Sequence, residues 1–172
     1  KPFQQCDSYE YFMFVLEIIH NVYNSNNDIH NHYSKNNKLN EILITYQKND
    51  NSIITNLFLT IIKYDYYDEE KKNILTNRYE SQWFIELIIP EMDTIDIYDC
   101  LNNTFKDEYM SNENAWFDEK ENIKKNVYKI SKIYFNPKIL VFPIKRLNNN
   151  LRKNNSLIHL KTTLNISNYS NE

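Results

Sequence analysis

A chain of 172 residues is long enough to bury one substantial core, and its net charge of −3 and pI of about 5.8 give it no electrostatic footprint for nucleic acid. No apolar run approaches the roughly 20 residues a membrane span needs, so neither a nucleic acid nor a membrane is expected as partner. Two cysteines, Cys6 and Cys100, supply neither a disulfide framework nor a metal set, which makes an intracellular, reducing location the expectation, in cytoplasm or nucleus. The chain opens at Lys1 without methionine or signal peptide, which reads as an internal piece of something longer. It contains no glycine, against a usual share of about 7%. Asparagine is abundant instead and is expected wherever the backbone needs positive φ.

Residues 5–23 read QCDSYEYFMFVLEIIHNVY. Asp7 is a good helix N-cap, and Glu10 stands at the third helical position. This predicts a capping box in which the Asp7 carboxylate takes the Glu10 amide and Glu10 reaches back to Asp7. Phe12, Val15, Leu16, Ile19 and Tyr23 recur at helical spacing, with Tyr11, Phe14 and Ile18 on the flanks. A helix apolar on most of its circumference belongs inside, so a central buried helix is expected over 7–20. Residues 24–40 are polar and Asn-rich and read as an exposed insertion. His30 and His32 lie in it, without the cysteines or acidic cluster a metal would need, and read as solvated loop side chains.

Residues 41–46 are apolar and of no definite type. Ser52 suits the cap of a short helix through Phe58, and 59–64 reads as a strand. Residues 65–72 form a charged hairpin tip. A returning strand over 79–89 alternates Trp83, Ile85, Leu87 and Ile89 until Pro90 ends it. Thr94 is placed to cap a helix with Ile97, Cys100, Leu101 and Phe105 on one face, which makes Cys100 a buried apolar residue and no nucleophile. Residues 107–121 are polar around Trp116 and Phe117, and alternation resumes at Asn126. Residues 138–147, KILVFPIKRL, form the strongest strand signal, and the continuous run predicts burial on both faces. Pro143 inside it requires an edge or bulge. An Asn-rich turn over 148–155 leads to one or two closing strands at 157–160 and 163–166. This order of elements is α+β.

Several boxes along this path resemble those of the ubiquitin-specific proteases, the papain-like cysteine deubiquitinases. Gln5, Asp7, Ser8, Glu10, Tyr11, Phe12, Leu16, Glu17 and His20 match the helix box, with Cys6 at its second glutamine. Ser52, Ile54, Leu57 and Phe58 follow, then Ile88, Ile89 and Pro90, then the Thr94–Leu101 box. Pro137, Ile139, Leu140, Ile144, Lys145, Arg146 and Leu147 match the Lys-Arg strand, and Leu164, Ile166 and Ser167 close the series. The resemblance implies a partial papain-like fold over 1–172, an internal part of one protease domain. It comprises a central buried helix and an antiparallel sheet, with finger strands over 59–89 and 116–135 and palm strands over 138–166.

The same resemblance implies ubiquitin, or a ubiquitinated protein, as partner. It implies hydrolysis of the bond after the ubiquitin C-terminus by a thiolate activated by histidine. The cysteine and histidine boxes of that chemistry are glycine-rich and absent here, so no catalytic residue is expected in this chain. Cys6 sits beside the helix cap, and His20 and His159 match structural positions. Asp7 and Glu10 match the acidic pair that contacts the arginine-bearing ubiquitin tail, and a carboxylate pair can hold a guanidinium bidentately. The finger tips at 65–72 and 116–122 lack the Cys-x-x-Cys pairs that hold zinc in many members, so no metal and no cofactor is expected. Pro143 and Leu147 depart from the histidine and aromatic of the Lys-Arg strand. An alternative is a catalytically inactive relative serving as a scaffold.

Overall fold

The computed structural model describes residues 7–24, 37–147 and 152–171. Cys6, His30 and His32 lie outside the described residues. The first helix, α1, spans Ser8–Tyr23 with Asp7 as N-cap. Helix α2 spans Asn37–Asn49 and α3 Ile53–Phe58. Strands β1, Thr60–Tyr67, and β2, Ile74–Gln82, form a long hairpin, followed by β3, Leu87–Ile88, and β4, Thr94–Asp96. Helix α4 covers Ile97–Thr104 and β5 Glu108–Met110. A second hairpin joins β6, Trp116–Asp118, to β7, Ile123–Lys125; then come β8, Val127–Phe135, β9, Ile144–Lys145, and β10, Leu157–His159.

The fold is α+β, built on a four-stranded antiparallel sheet ordered β2-β1-β8-β5. Alternation in β1 and β8 sends Ile62 and Ile133 into the main core, where they meet Ile85, Leu87, Ile95 and Leu101. Two short parallel pairs, β3 with β9 and β10 with β4, bring later chain back against earlier chain. The last described turn is fixed by the Tyr169 hydroxyl, which donates to Asn102 Oδ1 at 2.7 Å, and by the Asn171 amide, which donates to the Ile133 carbonyl at 2.9 Å. Positive φ occurs at Asn112, Asn122 and Lys71, so asparagine takes two of these three turn positions, as the lack of glycine requires.

Several expectations need correction. Helix α1 is buried on one face only. Leu16, with Met13 and Ile19 beside it, packs against Ile54, Leu57 and Phe58, while Tyr11, Phe14, Ile18 and Val22 form an exposed stripe on the opposite side. Apolar residues all round a helix do not bury it where, among the described residues, its packing partners, α3, Trp83, Phe84 and Val141, cover one side only. The end of the Asn-rich stretch is structured as the start of α2, which buries Leu39 and Leu43 against Leu59 and Ile61. Asn and Lys there face outward and hide a two-leucine helical stripe.

Asp96, rather than Thr94, caps α4. It takes the Tyr98 amide at 3.0 Å, while Asp99 returns a bond to the Asp96 amide at 2.8 Å. Cys100 is fully buried in that helix, and burial pushes its thiol up. The predicted 79–89 strand breaks after Gln82, yet its alternation persists: Ile85, Leu87 and Ile89 are buried and Glu86 and Ile88 face out. Residues 138–147 are only partly buried, and among them only β9 is regular strand. Pro143 has no amide to give, and one side of the run faces solvent. The Pro143 and Val141 carbonyls still accept from the Leu87 and Ile85 amides, at 2.7 and 2.9 Å. Residues 163–166 form no strand.

Candidate functional site

The N-terminus of α1 forms one wall of an open groove of about 1140 Å³. The Asp7 carboxylate accepts from the Tyr9 amide at 2.7 Å, so the cap is made to the second helical residue and the expected bond to the Glu10 amide is not the one formed. One carboxylate oxygen is thus committed to the cap. Tyr9 packs edge-on against Phe84 with centroids 5.1 Å apart, which holds the first turn of α1 over the run that leads into β3.

The opposite wall is the run from Val141 to Leu147, hydrogen-bonded to β3 as above. Two carboxylates line the groove, Asp7 and Glu86. Glu10 is exposed in the first turn of α1 and is not part of the lining, so the structure brings Asp7 together with Glu86. The Tyr9 hydroxyl registers both: burial first, then the Glu86 and Asp7 charges, push its pKa up to about 12. Glu86 has a cationic neighbour in Lys145, whose Nζ lies 3.6 Å from Oε2. Both side chains are half exposed, and a pair of that kind contributes at most about 1 kcal/mol, so Glu86 can exchange it for a ligand cation at little cost. The alternation around Ile85 and Leu87 placed Glu86 on the open face. What turns that face into a groove is the parallel pairing with β9, which no local pattern announces.

The two histidines lie elsewhere. His159 is exposed on β10. His20 is buried; its Nδ1 lies 2.7 Å from Ser52 Oγ, its Nε2 3.4 Å from Asp50 Oδ1, and its ring meets Trp83 edge-on at 4.9 Å. The set has the composition of a hydrolytic triad and none of its function. Ser52 Oγ caps α3 by accepting from the Ile54 and Thr55 amides at 3.1 and 3.2 Å, and it is buried. His20 instead locks α1 to the start of α3.

Among the described residues no group of three or more His, Cys, Asp and Glu side chains is placed to hold a metal. The finger tips are closed by hydrogen bonds. Asp68 takes the Lys72 amide at 2.8 Å and the Asn73 side chain at 2.7 Å, and Asp118 takes the Lys120 amide at 3.0 Å. The Lys125 ammonium, 2.8 Å from Asp118, holds its carboxyl below the usual range. No helix among the described residues is long and apolar enough to cross a membrane.

This chain is similar in structure to a set of deubiquitinating modules. The SAGA Ubp8/Sgf11/Sus1/Sgf73 DUB module bound to ubiquitin aldehyde matches with a TM-score of 0.69 and 20% identity, over 98% of this chain and 34% of that one. The SAGA DUB module bound to monoubiquitin gives 0.71 and 19%, over 99% and 35%. The yeast SAGA DUB module gives 0.70 and 22%, over 96% and 36%. These likenesses establish a shared fold, and the chain spans about a third of the length of the proteins it matches. No curated protein matches it in sequence. The ubiquitin carboxyl-terminal hydrolase model, however, matches residues 1–172, and the chain therefore belongs to the ubiquitin carboxyl-terminal hydrolase family.

Proposed function

We propose that this chain is the ubiquitin-gripping part of a thiol-dependent deubiquitinase whose catalytic cysteine and histidine lie outside residues 1–172. The observation that carries the reading is the groove between the start of α1 and 141–147, open at one side and edged by Asp7 and Glu86. An extended peptide tail fits such a groove, and its arginines find carboxylates there. The SAGA module bound to monoubiquitin shares the fold, which supports ubiquitin as partner. In this reading Asp7 is the main contact, Glu10 a second carboxylate on the exposed first turn of α1, and the β1–β2 and β6–β8 strands cradle the folded body of ubiquitin. The place of work is intracellular, in cytoplasm or nucleus.

The whole protein carrying Asp7→Asn tests it. Asparagine caps helices about as well as aspartate, so the melting temperature is expected to hold within about 2 °C. A charge-assisted hydrogen bond contributes about 1.5–3 kcal/mol, so ubiquitin binding by calorimetry is expected to weaken about tenfold or more. Unchanged affinity would remove Asp7 from the site. Hydrolysis of a fluorogenic ubiquitin conjugate separates the enzyme from a scaffold, which would bind without turnover.

A further inference from the structure

We propose that a second groove, which shares Lys145, Arg146, Leu147 and Lys153 with the first, binds an acidic peptide segment that carries interspersed apolar side chains. The groove has a volume of about 460 Å³, and four cations line it: Lys145, Arg146, Arg152 and Lys153. A single carboxylate, Glu91, lies among them. A chain with a net charge of −3 has concentrated positive charge in one place, and a concave cluster of one sign focuses field toward a ligand of the other.

The cluster is built into the fold. Leu147 bridges Lys153 in antiparallel register, and the Asn154 amide donates to the Arg146 carbonyl at 2.6 Å, which sets the two cationic segments side by side. Arg146 Nη1 donates to the Asn154 and Ser156 carbonyls at 3.2 and 3.1 Å, so the guanidinium is held in place before a ligand arrives. Preorganised cations lose little entropy on binding.

The rest of the lining selects peptide over nucleic acid. Ile88 and Leu147 are 46% and 53% exposed and face the groove alongside Ile89. Among the described residues no aromatic side chain lines it, so they offer no platform for a base to stack on. Glu91 repels a continuous phosphate backbone, whereas an acidic peptide can place an apolar residue opposite it. Acidic and aliphatic side chains in alternation satisfy both halves of the surface.

The test is fluorescence anisotropy on the intact protein with a labelled short peptide of alternating glutamate and leucine. The peptide is expected to bind and to weaken as salt rises from about 50 to about 200 mM, because the pairing is between solvent-exposed charges. Arg152→Glu with Lys153→Glu is expected to weaken it at least about tenfold, whereas Lys120→Glu, on the exposed β6–β7 turn, changes it less than about twofold. An unaltered melting temperature shows that the double variant is folded; if it is not, Arg152→Gln alone takes its place, with a loss of about threefold expected. Absence of peptide binding, binding indifferent to these substitutions, or tighter binding of an oligothymidylate of equal charge would each overturn the proposal. Arg152 lines the second groove and not the first, so a loss with Arg152→Glu alone places the peptide in the second groove whether or not the first accepts ubiquitin.

Discussion

At the residue scale, Asp7 has a structural role and, in the proposed reading, a ubiquitin-binding one, and the two are separable by substitution. Asp7 caps α1 through Tyr9 while it edges the groove, and asparagine preserves the first role without the charge. His20 and Ser52 are structural only, and their energies are coupled, because each completes the other's hydrogen bonding in the interior. Removing His20 costs its packing on Trp83 and leaves Ser52 with a lost partner, so His20→Ala is expected to destabilise by about 2–4 kcal/mol. Ser52→Ala is expected to cost about 1–3 kcal/mol, from the cap and the orphaned imidazole together. The double variant is expected to cost less than the sum by about 1 kcal/mol or more, read from urea denaturation. Strict additivity would mean that the two groups do not share a bond. Neither variant is expected to change ubiquitin affinity, since neither residue lines the groove.

At the scale of elements, the sheet carries a pH dependence through its tyrosines. Burial, followed by the Glu80 charge for Tyr64 and by Tyr134 for Tyr79, raises both hydroxyls to about 12, and Tyr9 at the groove reaches the same value. The unfolded chain ionises near 10, so above that pH the folded state binds more protons than the unfolded one. Stability from these groups is therefore complete below about pH 10 and lost between about 10 and 12. Absorbance of the phenolates and the urea midpoint, followed together, are expected to change in that window. Tyrosine titration centred at 10 with no loss of midpoint would contradict it.

The elements differ in how legible they are in the sequence. The α1 cap, the β1–β2 hairpin, the inward Ile85 and Leu87 and the buried Cys100 follow from local chemistry. Helix α2 does not, because Asn and Lys fill its outer faces and only Leu39 and Leu43 mark the inner one. Helix α1 is buried on one face only, since composition around a helix says nothing about what is there to cover it. Residues 138–147 look like an interior strand by composition, and Pro143 together with the open groove make them a half-exposed wall.

At the scale of the whole molecule, the two short parallel pairs shape the groove. β9 on β3 raises the wall that faces Asp7, and β10 on β4 returns the chain to the main core beside Tyr169. Both pairings join segments more than 50 residues apart, so a sequence reveals them only through resemblance to a known family. That is why the sequence points to Asp7 and not to Glu86, which lines the same groove. The groove between α1 and 141–147 as the seat of the ubiquitin tail is the claim on which the rest depends. Hydrogen–deuterium exchange of the whole protein, free and saturated with ubiquitin, tests it most directly. The expected result is slowed exchange at the amides of 8–12 and 141–147, lost when the ubiquitin tail is removed. Protection confined to the finger strands, with those two segments exchanging as in the free protein, would contradict it.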